Sequence, residues 1–449
     1  MATESFVELD PGGGFGLANL PWGVFSRISG PDAGIRSIGV ALGEHVVDVR
    51  RLASAGLLSG PVLSQAGGCL QKGTLNMFMS LGRPAWREAR STLQRLLSKQ
   101  EGVLRDNASL RNAALLSKDS VQMHLPADVG DYTDFYASRE HAFNCGALFR
   151  GAGSELQPNW VHLPVGYHGR ASSIVVSGTS VRRPWGQVLP QGASTPQMQP
   201  CAMLDYELEM ACFIGTGNAL GEPVRCDDAP GHIFGMVLMN DWSARDIQKW
   251  EIVPLGPFNS KNFATQISPW IVTPEALDPF AVDAPRQDPE VLPYLQQADR
   301  TTYDVAVATD IVPAGTGRRC RATTTNFKHM YYTWPQMIAH HTLGGCNMRP
   351  GDLIASGTIS GGAPGKRGCL FEATSAGREP LRLGALPDGQ QQPGAMPPPE
   401  PAGADAMVAT RVYLEDLDEV IMSGWCEGGG AEPVSFGECR GVVLPAREA

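Results

Sequence analysis

The segment Leu204-Asp205-Tyr206-Glu207-Leu208-Glu209-Met210, running on into Ala211-Cys212-Phe213-Ile214, constrains this chain more than any other. Side chains alternate along a strand, so Glu207 and Glu209 share one face, about 7 Å apart along the chain. Tyr206, Leu208 and Met210 take the opposite face. At an effective dielectric near 20, two carboxylates at that spacing repel by about 2.4 kcal/mol. A half-buried strand carries that cost only if something offsets it. Four compensations are open: solvent, an arginine or lysine partner, one shared proton, or a divalent cation. A solvated or ion-paired strand face is the simplest of them.

Glycine (52) and proline (35) are both abundant among the 449 residues. That favours a turn-rich, mainly β fold with some helix over a helical bundle. With 36 basic and 46 acidic side chains the net charge is −10, and no basic stripe interrupts it. Nucleic acid and anionic membrane are therefore not expected partners. No apolar stretch reaches membrane-spanning length. The ten cysteines are scattered and form no C-x-x-C pair, so their spacing supports neither a zinc nor an iron–sulfur site. The opening residues lack the basic and apolar regions of a signal peptide, and a reducing, cytoplasmic setting is expected.

Residues 1–124 read as a small separate unit. Ser37–Leu42 and His45–Val49 are apolar runs split by Gly43-Glu44, which predicts a hairpin. A helix is expected after it, with Pro84 in the first turn and Trp86, Ala89, Leu93, Leu96 and Leu97 on one core-facing stripe. Residues 125–449 read as a larger β-rich unit, with strands expected at Ser173–Ser177, Met203–Ile214, His232–Met239, Tyr303–Thr309 and Leu353–Ser356. Gly215-Thr216-Gly217-Asn218 misses dinucleotide-binding spacing. The low-complexity stretch 384–406 is expected to be a flexible surface loop.

Two further clusters carry chemistry. In Asn240-Asp241-Trp242-Ser243-Ala244-Arg245-Asp246-Ile247-Gln248, a helix starting at once would align Asp241, Arg245 and Gln248 on one face, as an N-cap and a surface ion pair. A strand end at Asp241 would instead bring a third hard oxygen donor to the glutamates, a set suited to Mg²⁺ or Ca²⁺. Residues 130–150 concentrate acids, two tyrosines, two arginines and His141. A lone histidine is more often structural, but one in acidic company suits a general base. Serine-nucleophile chemistry lacks support, because Gly357-Thr358-Ile359-Ser360-Gly361 puts isoleucine where the nucleophile would stand.

Gly130–His141, His162–Arg170, Met239–Trp250, Pro254–Phe258 and Arg349–Gly361 together resemble the fumarylacetoacetase family, and the resemblance runs from about Asn19 almost to the C-terminus. It implies a small N-terminal SH3-like barrel, a C-terminal mixed β-sandwich roll, and a homodimer. It implies hydrolysis of a small diketone, 4-fumarylacetoacetate, at a carbon–carbon bond, in the last step of tyrosine breakdown. Asp134, Glu207, Glu209 and Asp241 would ligate Mg²⁺ and/or Ca²⁺, with Lys261 and Thr265 beside the ion. A lysine ammonium is no ligand, so Lys261 would act through backbone oxygen or charge. His141 would be the base and Glu372 its orienting carboxylate. Arg245, Gln248 and Lys261 would stabilise an oxyanion, and Tyr136, Arg150, Tyr167, Gln248 and Thr358 would touch substrate.

Two positions depart from the family pattern: Ile252 where a tyrosine is usual, and Ala264 where glycine is usual. Ile252 removes one hydroxyl contact without altering the reaction class. An acylpyruvate hydrolase or β-keto-acid decarboxylase is the neighbouring alternative, and a non-catalytic metal-binding scaffold the distant one. The N-terminal unit and the His141/Glu372 pair favour the hydrolase over both.

Overall fold

A computed structural model of the chain describes residues 4–10, 12–387 and 407–448. Its first sheet is five-stranded and antiparallel. The strand Trp22–Arg27 lies between Ser37–Leu42 and Val121–His124, and His45–Asp48 and Leu115–Ser117 extend the sheet. The expected hairpin is present. Its turn needs Gly43 at φ +55°, a left-handed conformation that glycine adopts without steric cost. The expected helix is present too, as Arg83–Leu96 with Pro84 in its first turn and Trp86, Ala89, Leu93 and Leu96 buried.

The second sheet is seven-stranded and mixed. Its order is Gly166–His168, Tyr132–Phe135, Leu353–Ala355, Leu208–Ile214, Ile233–Asp241, Thr265–Ile267, Ile174–Val176. Tyr132–Phe135 runs parallel to Leu353–Ala355, and Thr265–Ile267 parallel to Ile174–Val176. A third sheet, containing Ala306–Val312, Cys320–Asn326, Glu419–Cys426 and Val434–Leu444, covers one of its faces.

Alternation along Leu208–Ile214 decides which face meets what. Leu208, Met210, Cys212 and Ile214 join Val307, Ile311, Val420, Met422 and Phe436 in one apolar core. Ala211 and Phe213 join Trp22, Phe78, Trp86 and Phe234 in another, beneath the N-terminal elements. Trp86 meets Phe234 edge-on at 5.2 Å, and the Trp22 and Ile271 backbones exchange hydrogen bonds. The strand is therefore buried on both faces, not on one. The two glutamates sit in an interior where like charge costs far more than the sequence estimate allowed.

Three expectations need correction, and one open alternative, at Asp241, is decided. The strand expected at Met203–Ile214 breaks at Tyr206-Glu207, because side chains replace the ladder there. Asp205 accepts from the Tyr206 N–H, and Asn240 Oδ1 accepts from the Glu207 N–H at 3.1 Å. Leu204–Asp205 pairs instead with Ser243–Ala244. The run Tyr303–Thr309 divides between Thr301–Tyr303 and Ala306–Val312. Asp241 does not begin a helix. It ends the strand Ile233–Asp241, held extended by pairing with Thr265, and the helix starts only at Arg245. Of the stretch 384–406, Gly384 belongs to a strand and Leu386 is buried, while residues 388–406 lie outside the described residues.

Candidate active site and metal centre

The register of the seven-stranded sheet assembles the acidic centre. Directly paired residues project to the same side, so the pairs Asp134–Ala355, Ala355–Ala211, Glu209–Met239 and Asp241–Thr265 set Asp134, Glu209 and Asp241 on one face. Ala211 and Ala355 keep the space between Asp134 and Glu209 open. Glu207, just before the strand, turns its carboxylate to the same place. All four carboxylates are buried, and one oxygen from each lies within 4.8 Å of the others.

Two cations answer part of this charge. Lys261 Nζ donates to Glu207 Oε2 and to Asp241 Oδ2. Arg245 sets one guanidinium nitrogen 2.8 Å from Glu207 Oε1 and donates Nε–H to Asp205 Oδ2 at 2.9 Å. Tyr167 and Thr265 donate hydroxyls to Asp241 at 3.1 and 3.2 Å. Glu209 has no such partner. Neither of its oxygens, nor Oδ1 of Asp134, meets a hydrogen-bond donor among the described residues.

The titration behaviour follows this division. Burial, then the neighbouring carboxylates, push Glu209 and Asp134 well above the usual range. Burial also raises Asp241, with Lys261 pulling the other way. For Glu207 burial works upward too, but Lys261, Arg245 and His141 outweigh it and hold the group below the ordinary value. Burial opposes the Lys261 ammonium, yet Asp241 and Glu207 keep it charged. Unpartnered buried carboxylates surrounding one point are costly unless a cation satisfies them. The oxygen-only donor set therefore fits a hard divalent ion.

His141 stands beside this centre. It lies in the first turn of the helix Arg139–Arg150, whose N-cap Ser138 accepts from the His141 N–H. Its Nδ1 is 2.6 Å from Glu372 Oε2, and its Nε2 is 3.9 Å from Glu207 Oε1. Asn144 and Ser360 donate to Glu372 at 2.8 and 2.7 Å, fixing the carboxylate. Burial disfavours the imidazolium, but the Cys145 sulfur and the Glu372 carboxylate favour it more, and the net direction for His141 is upward. Glu372 moves down, because His141 and its hydrogen-bond donors outweigh burial. A histidine with one nitrogen held by a carboxylate and the other facing the acidic centre has the arrangement of a general base.

The other expected site residues divide. The Tyr136 ring meets His141 edge-on at 5.1 Å. Gln248 Oε1 accepts from Arg245 at 3.2 Å, so these two enter the site together from the helix Arg245–Glu251. Thr358 is buried with its hydroxyl unpartnered among the described residues, free to meet a ligand. Arg150 is not brought in. Exposed at the end of its helix, it donates to the carbonyls of Ser154 and Glu155 at 2.8 and 2.6 Å. Ile252 closes the Arg245–Glu251 helix and is partly exposed.

Asp205 was missed in the sequence. Fully buried, it accepts from Arg245 Nε and from the N–H groups of Leu370 and Phe371, at 2.7 and 2.9 Å for the last two. One carboxylate thus caps the short helix Leu370–Ala373 that carries Glu372 and also orients Arg245. The signal was present: Asp205, Glu207 and Glu209 continue one period of two.

The chain is similar to known proteins along nearly its whole length. Residues 18–126 match the family model described as fumarylacetoacetase N-terminal, and residues 131–420 the one described as fumarylacetoacetate hydrolase C-terminal. The chain is 49% identical to the human fumarylacetoacetase over 442 residues, covering 98% of this chain and 99% of that one. It is 48% identical to the rice fumarylacetoacetase over 443 residues, covering 99% and 97% respectively. Among solved structures, a fumarylacetoacetate hydrolase from Exiguobacterium antarcticum shares the fold, with a TM-score of 0.50 at 19% identity, covering 95% of this chain and all of that one.

Proposed function

The chain belongs to the fumarylacetoacetase family, and on that premise we propose that it hydrolyses 4-fumarylacetoacetate to fumarate and acetoacetate in tyrosine and phenylalanine breakdown. The observation that carries the reading is the His141–Glu372 pair set against four buried carboxylates, two of which, Glu209 and Asp134, keep unsatisfied oxygens. Cleaving a 1,3-diketone by water needs a base for the water, charge to receive the oxyanion, and a way to release an enolate.

His141 takes the proton of the attacking water at Nε2, while Glu372 holds Nδ1–H and stabilises the imidazolium that forms. Arg245, paired with Gln248, and Lys261 present cationic donors to the oxyanion of the tetrahedral adduct. The carbon–carbon bond then breaks, and the imidazolium returns its proton to the departing acetoacetate carbon. Tyr136, Tyr167 and Thr358 position the substrate. Arg150 joins its carboxylate only by leaving the Ser154 and Glu155 carbonyls. Asp134, Glu207, Glu209 and Asp241 would hold Mg²⁺ or Ca²⁺, with Lys261 and Thr265 alongside. When bound, the ion would supply Lewis-acid polarisation.

The same reading takes residues 1–124 as an SH3-like barrel, residues 125–449 as the catalytic β-roll, and the protein as a cytoplasmic homodimer. Among the described residues no helix is long and apolar enough to cross a membrane. The deciding experiment follows the diketone absorbance of 4-fumarylacetoacetate with purified protein, with EDTA, and with metal restored. Turnover lost to EDTA and regained with Mg²⁺ or Ca²⁺ supports the assignment. Intact metal binding without turnover of this substrate overturns it.

A further inference from the structure

A second group of ligand-type side chains lies beside the acidic centre and differs from it chemically. His141 and Cys145 are one turn apart on the helix Arg139–Arg150, and Cys369 and Glu372 lie at the same kind of spacing on the Leu370–Ala373 turn. All four are buried. Cys145 Sγ lies 3.7 Å from each His141 ring nitrogen, and Cys369 Sγ lies 3.3 Å from Glu372 Oε2. Donor atoms of His141, Cys369 and Glu372 all fall within 4.8 Å of one another. Tetrahedral zinc, with bonds of about 2.0–2.3 Å, separates its ligands by roughly 3.3–3.8 Å. A thiol, an imidazole and a carboxylate form a set that prefers a borderline or soft ion to Mg²⁺, and Cys145 lies beside the His141 ring without joining that group. In sequence His141 lies far from Cys369 and Glu372, which is why ligand spacing concealed the group.

We propose that His141, Cys369 and Glu372 form a three-ligand site for a thiophilic divalent cation such as Zn²⁺ or Cd²⁺, with water completing the set, and that filling it arrests turnover. Binding releases the Cys369 thiol proton and replaces the Nδ1 proton of His141, and no electrons are transferred. The ion breaks the His141–Glu372 hydrogen bond and ties up the ring, so water loses its base. The binding stands on geometry alone. Only the arrest rests on the proposed role of His141.

The test uses full-length, Mg²⁺-loaded protein carrying Cys346→Ser, which removes the exposed cysteine as a competing thiol. Cd²⁺ is titrated while the near-ultraviolet thiolate charge-transfer band and turnover are read together. The expected result is a band saturating at one equivalent, with turnover falling in step. Adding Cys369→Ser, which keeps a hydroxyl donor toward Glu372, should preserve turnover, abolish the band and raise the inhibitory Cd²⁺ concentration at least about tenfold, the equivalent of about 1.4 kcal/mol of affinity. A band that is absent, or that survives this substitution, overturns the site. Inhibition without a band, relieved by excess Mg²⁺, places Cd²⁺ in the acidic centre and also overturns it. A saturated band with undiminished turnover overturns the arrest, and with it the role of His141 as base.

Discussion

Asp205→Asn should damage the enzyme although Asp205 touches neither water nor, in the proposed mechanism, the substrate. Oδ1 accepts from the Tyr206 and Leu370 N–H groups, and Oδ2 from Arg245 Nε and the Phe371 N–H. An asparagine of the same shape keeps one of these oxygens and turns an NH₂ toward two N–H donors. At least two hydrogen bonds are lost, and the donors remain buried. If the Arg245 contact is one of them, it alone costs about 1.5–3 kcal/mol, with about 1 kcal/mol more for the backbone partner. Arg245 retains Glu207 at 2.8 Å, which keeps the total to about 2.5–4 kcal/mol.

For a chain of 449 residues at about 2.1 cal/mol/K each, the unfolding entropy is about 0.9 kcal/mol/K, so Tm falls by only about 3–4 °C. Catalysis is the more sensitive readout. Releasing the Leu370–Ala373 turn and Arg245 displaces Glu372 and the oxyanion donor together, and a displacement near 1 Å costs on the order of 100-fold in kcat. Calorimetry and steady-state kinetics on wild-type and variant protein measure both. A kcat within about threefold of wild type would refute the idea that Asp205 positions the two groups. An unchanged Tm would show that its hydrogen bonds are readily replaced.

His141→Ala should lower kcat by at least about 100-fold while keeping the fold and metal binding, and retained turnover removes His141 as base. Glu209→Gln should weaken Mg²⁺ or Ca²⁺ binding by calorimetry and raise the Tm of chelator-treated protein, because it removes an unpartnered buried charge. A lower Tm in that state would contradict the repulsion inferred here. Asp48 caps the helix Val49–Ser54, and its pKa is raised by burial despite Arg51 and Arg27. A carboxyl raised on folding contributes most below its unfolded value and loses that contribution as pH climbs through the folded one. Asp48→Asn, which keeps a capping oxygen, should therefore gain stability relative to wild type from about pH 4 upward. A difference that shrinks with rising pH would reverse the sign.

Local features were legible wherever one residue predicts its neighbours. The period-two alternation placed Glu207 and Glu209 together, and the Gly43-Glu44 break marked the hairpin. Pro84 with its apolar stripe marked the helix at Arg83–Leu96. The same alternation also held Asp205, but its role depends on the distant Leu370 and Phe371 N–H groups, which no local pattern marks. Asp134, Thr265 and Glu372 were named as site residues through family resemblance, since no local period connects them.

What the sequence by itself determined was the chemistry available: hard carboxylates on an apolar strand, a histidine in acidic company, and a β-rich frame to carry them. Tertiary structure decided where that chemistry meets. Strand register set Asp134, Glu209 and Asp241 on one face, and the strand ladder kept Asp241 out of a helix. The turn at Leu370–Ala373 brought Glu372 to His141, 231 residues away. Hydrogen bonds to the Ser154 and Glu155 carbonyls carried Arg150 outward. Such contacts depend on sheet order and packing between distant segments, and no short-range pattern encodes them.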